Sequence, residues 1–118
     1  MSTFKEQGNN AFKNKNFDEA ISFYTKAIEE NPTDHTIFGN RSAAHYSLKQ
    51  YESALEDAQK CIDIKPDWSK GYQRKGMAMQ AKGDLEEAIK LYETGIDKDP
   101  ANAQCKSMLE QAESQLAQ

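Results

Sequence analysis

No apolar run in this 118-residue chain approaches the eighteen or so residues of a membrane span. Its opening Met-Ser-Thr-Phe-Lys-Glu-Gln lacks the basic and apolar regions of a secretory signal. Cysteine is scarce: Cys61 and Cys105 stand alone, in no Cys-x-x-Cys or Cys/His spacing. They read as small, reduced, apolar fillers, which sets aside a disulfide framework or metal site and favours a cytoplasmic setting. The two histidines, His35 and His45, adjoin no nucleophile pattern. The six glycines are scattered, so no phosphate-cradling loop is present. Paired glutamates at 29–30 and 86–87 read as solvated helix faces rather than an acid/base pair. Neither catalysis nor a cofactor is expected of these residues. Positive charge is also in deficit, with 15 Lys and Arg against 19 Asp and Glu for a net charge of -4. That argues against a broad nucleic-acid footprint but leaves room for a small basic pocket.

What the chain does have is a period. Its three prolines, Pro32, Pro66 and Pro100, are spaced thirty-four residues apart. In the same register fall Ala20, Ala54 and Ala88; Gly8, Ser42 and Gly76; Ala27, Cys61 and Gly95; and Phe17, Tyr51 and Leu85. Period and pattern resemble the tetratricopeptide repeat, each unit a pair of antiparallel helices. The resemblance implies an all-α, right-handed superhelical solenoid of three helix pairs plus a capping helix. That makes seven helices in one domain over 1–118, with repeats at 1–34, 35–68 and 69–102 and the cap at 103–118. The first helices of the pairs are expected over 3–15, 35–48 and 69–82, the second over 18–30, 51–64 and 85–98. Thr3 with Glu6 can form a capping box, Asp84 with Glu87 a similar pair, and Gly83 suits a left-handed helix stop. The residue before each proline ends a second helix, because it avoids helical geometry. From Ala101 onward the repeat pattern stops, yet Met108, Leu109, Ala112 and Leu116 recur at helical spacing, as a cap needs.

One stretch concentrates charge against the acidic background. Asp67-Trp-Ser-Lys-Gly-Tyr-Gln-Arg-Lys-Gly76 opens a helix after Pro66, with Asp67 as a candidate cap. It sets Lys70 and Arg74 four residues apart, on one face. Unless something anionic meets them, two such cations repel. Solenoid grooves are lined mainly by the first helix of each pair. The columns that face the groove in this repeat family bring Lys5, Glu6, Asn9, Phe12 and Lys13, then Thr36, Gly39, Asn40, Ala43, Tyr46 and Ser47, then Lys70, Gln73, Arg74, Met77, Gln80 and Ala81. Lysine, asparagine and arginine are donors, and a carboxylate offers about four lone-pair sites to them. The groove is suited to one or two carboxylates.

Here the resemblance narrows. Lys5 in Phe-Lys-Glu-Gln-Gly-Asn, Asn9 in Gly-Asn-Asn-Ala-Phe, Asn40 in Gly-Asn-Arg-Ser-Ala-Ala, and Lys70 with Arg74 in Lys-Gly-Tyr-Gln-Arg-Lys match the dicarboxylate clamp. Clamp domains occur in co-chaperones that bind the C-terminal Glu-Glu-Val-Asp tail of cytosolic heat-shock chaperones. The N-terminal domain of the Hsp-organising co-chaperones is especially similar. The resemblance implies that Lys5, Asn9 and Asn40 hold the main-chain carboxylate of the terminal Asp. Lys70 would take its side-chain carboxylate, and Arg74 a nearby carbonyl or carboxylate. Phe12, Ala43, Tyr46, Met77, Gln80 and Ala81 are expected to make apolar contacts that choose among tails. The 70-kDa chaperone class is favoured and the 90-kDa class is possible. The chain would then be a monomeric adaptor domain of a longer protein, with no nucleic-acid or membrane partner. The alternative is the chaperone-targeting domain of a multidomain enzyme such as a phosphatase, ubiquitin ligase or prolyl isomerase. Trp68, at a turn between repeats, is expected to pack rather than to touch a ligand.

Overall fold

Thr3 caps the first helix, α1 (Phe4–Lys13), through the reciprocal pair its spacing from Glu6 allows. Its hydroxyl accepts from the Glu6 N–H at 3.1 Å, and the Glu6 carboxylate accepts from the Thr3 N–H at 3.3 Å. The computed structural model describes residues 2–118 and continues with α2 (Phe17–Glu30), α3 (His35–Ser47) and α4 (Tyr51–Ile64). It ends with α5 (Ser69–Ala81), α6 (Leu85–Lys98) and α7 (Ala103–Leu116), and the described residues hold no strand. Asp34, Asp84 and Asn102 cap α3, α6 and α7 by accepting from the Thr36, Glu87 and Cys105 N–H groups. Asn31, Lys65 and Asp99, each before a proline, are the C-caps of the second helices, as the proline rule requires.

Two local expectations are corrected. Asp67 does not cap α5; Trp68 holds the N-cap position and makes no side-chain cap bond. The indole packs edge-on against His35, 4.7 Å between centroids, and lies against Gly39. Its burial positions the turn, so Trp68 packs as expected while the neighbouring carboxylate is left outside. Helix α1 is also shorter than 3–15, because Thr3 is a cap and Lys15 has left-handed backbone with φ 64°.

Lys15 is one of three equivalent stops. After α1, α3 and α5 the residue beyond the C-cap (Lys15, Lys49 or Gly83) is left-handed, with φ of 64°, 62° and 94°. In each case two N–H groups fold back onto the last turn: Asn16 to Ala11 and Lys15 to Phe12, Gln50 to His45 and Lys49 to Tyr46, Asp84 to Met79 and Gly83 to Gln80. This double closure satisfies carbonyls the helix leaves open. Glycine adopts that backbone freely, whereas lysine carries a cost of about 1–2 kcal/mol, partly offset by glycine's greater freedom when unfolded. Lys15→Gly and Lys49→Gly, both at exposed positions, are therefore each expected to stabilise the fold by about 0.5–1 kcal/mol. Urea denaturation checks this; an unchanged or lower midpoint counts against it.

Within each pair, one small residue sets the approach of the helices. A Cβ added at Gly8 would lie 2.6 Å from the Tyr24 ring, and one at Gly76 would lie 2.5 Å from Tyr92. The second repeat exchanges both partners for intermediate sizes, with Ser42 in the glycine column and Ala58 in the tyrosine column. That pair is smaller than Gly with Tyr, and Ser42 is instead held by donating its hydroxyl to the Ala54 carbonyl at 2.7 Å. Ala20, Ala54 and Ala88 are fully buried beside these contacts.

Successive helices stack along a body of 48 × 26 × 21 Å. Helix α1 also touches α3, α3 touches α5, and α5 touches α7, while α2, α4 and α6 make no such contacts with one another. The first helices thus converge and the second helices splay. The concave side belongs to α1, α3, α5 and α7. Among the described residues no helix is long and apolar enough to cross a membrane.

Candidate carboxylate-binding groove

On that concave side, Asn9, Phe12 and Lys13 of α1, Asn40 and Ala43 of α3, and Arg74 of α5 line one cavity of about 380 Å³, with Tyr24 of α2 behind them. Asn9 is fixed in orientation by its neighbours. Its Oδ1 accepts from the Tyr24 hydroxyl at 2.6 Å and from Asn40 Nδ2 at 3.1 Å. Both donors meet the oxygen, so the two N–H groups of Asn9 remain for a ligand, as does the second N–H of Asn40. Burial pushes the Tyr24 phenol up to about 12, with Arg74 opposing. It therefore stays a donor at any physiological pH.

Arg74 is the unusual group. It is half-buried, and among the described residues no carboxylate lies within ion-pair distance of it. Its one side-chain partner is Met77 Sδ at 4.0 Å, a weak acceptor. Burial pulls its pKa below the ordinary value, with smaller opposing effects from Cys61 and Tyr24. A guanidinium nevertheless stays charged in a protein. The cavity thus presents two cations, Arg74 and Lys13, and at least three amide N–H donors, with no carboxylate among the described residues that line it. Such a lining suits a carboxylate.

The other sequence-selected residues lie around this centre. Lys5 and Lys70 stand one helical turn before Asn9 and Arg74, and neither lines the same cavity. Lys5 is paired with Asp34, Nζ to Oδ2 at 3.1 Å. Lys70 is exposed, in a crevice at the start of α5 that it shares with Asp67, Trp68, Asp99, Asn102 and Gln104. Phe12 has two roles, lining the cavity and packing edge-on against Phe17 at 5.4 Å. Met77 faces a second cavity, which shares Arg74 with the first. Tyr46 packs against Tyr51 at 5.6 Å. Gln80 is engaged internally, accepting from the Tyr92 hydroxyl and donating to Gln115. Ala81, the last residue of α5, is exposed.

Several residues of the groove were not selected from the sequence. Tyr24 orients Asn9, and its place opposite Gly8 in the repeat was the available clue. Asp34 holds Lys5; its cap signal was legible but its partner was not. Gln104, Ser107 and Met108 of α7 line the second cavity with Gln73, Arg74 and Met77. Met108 was legible only as an apolar residue of the capping helix, and Gln104 and Ser107 carried no signal, because the repeat pattern ends before them. Gln73 is itself buried and bound to Asn102 and Gln104, so it anchors α7 to α5.

Comparison with known proteins agrees with the architecture. The family model for tetratricopeptide repeats of BSK1-like serine/threonine-protein kinases matches residues 1–81, and a general tetratricopeptide-repeat model matches 69–102. Heat shock protein STI1 of Saccharomyces cerevisiae is 46% identical over 109 residues, covering 92% of this chain and 18% of its own length. The chain thus spans about a fifth of the length of the curated relatives it matches. The first such domain of Spaghetti (RPAP3), solved bound to the HSP90 peptide SRMEEVD, has a TM-score of 0.91 at 34% identity, covering 98% of this chain and 91% of that one. The second domain of human RPAP3, solved with the HSP70 peptide SGPTIEEVD, has a TM-score of 0.88 at 30% identity, covering 94% and 92%. In period, helix stacking and close relatives alike, the chain belongs to the tetratricopeptide-repeat family.

Proposed function

We propose that this chain is a co-chaperone adaptor module, a single domain of a longer cytoplasmic protein, that binds the Glu-Glu-Val-Asp tail of a heat-shock chaperone. One observation carries the reading: Arg74, Asn9 and Asn40 converge in one cavity as donors without an internal anion. Support comes from relatives of the same fold that were solved with peptides ending in Glu-Glu-Val-Asp. In this reading Asn9 and Asn40, with Lys5 one turn away, take the terminal main-chain carboxylate. Lys70 takes the Asp side chain, and Arg74 a carbonyl or carboxylate between them. Phe12 and Ala43 flank the Val. Residues further upstream pass over Met77 and α7, where Gln104, Ser107 and Met108 can discriminate between tails. Resemblance to the N-terminal domain of organising co-chaperones favours the 70-kDa class over the 90-kDa class. The module binds and does not react.

Each charge-assisted bond contributes about 1.5–3 kcal/mol, much of it offset by ordering the tail, so micromolar affinity is expected. Calorimetric titration with one tail peptide from each chaperone class, free and with the terminal carboxylate amidated, tests the assignment. Binding should fall sharply on amidation and weaken with added salt. Equal affinity for free and amidated peptides would mean that the groove reads an internal segment, and the clamp assignment would be wrong. A second reading, the targeting domain of an enzyme, is favoured by the match over residues 1–81 to repeats of a kinase family. It uses the same groove in the same way.

A further inference from the structure

Lys5 lies in α1 and Asp34 is the cap of α3, twenty-nine residues on, yet they meet at 3.1 Å. The lysine is the movable partner. Asp34 Oδ1 is held by the Thr36 N–H at 3.0 Å and by the Thr36 hydroxyl at 2.6 Å, which leaves Oδ2 aimed at Lys5. The lysine side chain is 38% exposed and the aspartate 20%, so the pair stands where a ligand can reach it. It lines, with Thr3, Phe4, Ala27, Glu30, Asn31 and Ile37, a cavity of about 230 Å³ separate from the one that holds Arg74; Glu30 is a second carboxylate there but makes no ion pair with Lys5.

We propose that Asp34 sets the affinity of the groove for carboxylate tails by neutralising Lys5 within the free protein. The inference rests on the tail-binding reading given above. An ammonium group has three N–H donors, so Lys5 can hold Asp34 and a ligand together. The ligand's carboxylate then meets the Asp34 charge just behind the lysine, and like charges at that range repel. Asp34 thus lowers by one the positive charge that Lys5, Lys13, Lys70 and Arg74 offer to an incoming tail. It also keeps Lys5 occupied when no tail is bound, which disfavours weak or singly charged anions there. Burial raises the Asp34 carboxyl, but the Thr36 hydrogen bonds and Lys5 outweigh that and hold it below its ordinary value. The pairing therefore persists across the physiological range.

The cap chemistry supplies a clean test. Asparagine and serine serve at an N-cap as well as aspartate does, so Asp34→Asn and Asp34→Ser remove the charge while keeping the helix start. Each variant is titrated with a free-carboxylate Glu-Glu-Val-Asp peptide beside the wild type, with circular dichroism confirming the helices. Binding is expected to tighten by about two- to fivefold at low salt, with faster association and a steeper loss on adding salt. In a Lys5→Ala background the same substitutions should give no gain, since the charge they release is gone. Unchanged or weaker binding by both charge-removing variants, while the wild type still distinguishes free from amidated peptide, would overturn the proposal and leave the groove reading standing. Failure of the wild type to distinguish the two peptides would overturn the groove reading and this proposal with it.

Discussion

Arg74→Ala is expected to weaken tail binding by about 10- to 150-fold, the change that corresponds to losing one hydrogen-bonded charge worth about 1.5–3 kcal/mol. The same variant should leave the fold nearly unharmed. The guanidinium is half-buried with no carboxylate partner among the described residues, so its removal strands no opposite charge. Loss of the weak Nη1 contact to Met77 Sδ and of the apolar part of the side chain costs a little. The thermal midpoint should therefore move by no more than a few degrees. Arg74→Lys should fall between, because lysine keeps the charge and loses the planar fork. Calorimetry with the free-carboxylate peptide reads the first effect and thermal denaturation the second. Wild-type affinity in the alanine variant would remove Arg74 from the clamp; a collapsed midpoint would make it a structural residue.

Asp57→Ala is expected to have the largest effect on stability, about 3–5 kcal/mol. Asp57 is buried on α4 and takes a two-pronged bond from Arg41 of α3, Nε at 2.7 Å and Nη2 at 2.8 Å. The remaining prong, Nη1, donates to Thr25 of α2 at 3.2 Å, so one guanidinium ties three helices together. His45 Nε2 also lies 3.7 Å from the same carboxylate. Removal of the acid leaves Arg41, its side chain 20% exposed, charged and without a carboxylate. Against a total of about 5–15 kcal/mol for a domain, that loss is severe. Urea denaturation should show it directly. The double variant Arg41→Met/Asp57→Leu should lose much less, because an apolar pair of similar size carries no desolvation penalty. Should the single variant unfold at the wild-type midpoint, the pair is not what joins these helices.

Arg41 also shows where sequence reading reaches its limit. It follows the groove residue Asn40 directly, in the stretch Asn-Arg-Ser-Ala-Ala that carries much of the resemblance. A charge pattern alone would make it as good a ligand contact as Arg74. The fold turns it to the seam with α2 and α4, where it meets an acid sixteen residues away. Arg74 meets none. Two arginines of similar local context thus acquire opposite roles from what the neighbouring helices place beside them.

The 34-residue period, the seven helices, the stops at prolines and the capping box of Thr3 with Glu6 were all legible in the amino-acid order. These features depend on interactions within one turn or one helix pair, and the spacing of small residues against Tyr24 and Tyr92 repeats that information with each unit. The face that carries Asn9, Asn40 and Arg74 was legible only through the resemblance, because the three lie on different helices and match columns that face the groove in this repeat family. Tertiary structure decided the rest. It left Asp67 unused because Trp68 packs into the turn, gave Lys5 an anion from the cap of α3, and added three side chains of α7 to the groove. Each of these depends on contacts between segments about thirty residues apart, across a seam between helices. Periodicity says which way a side chain points but not what stands opposite it.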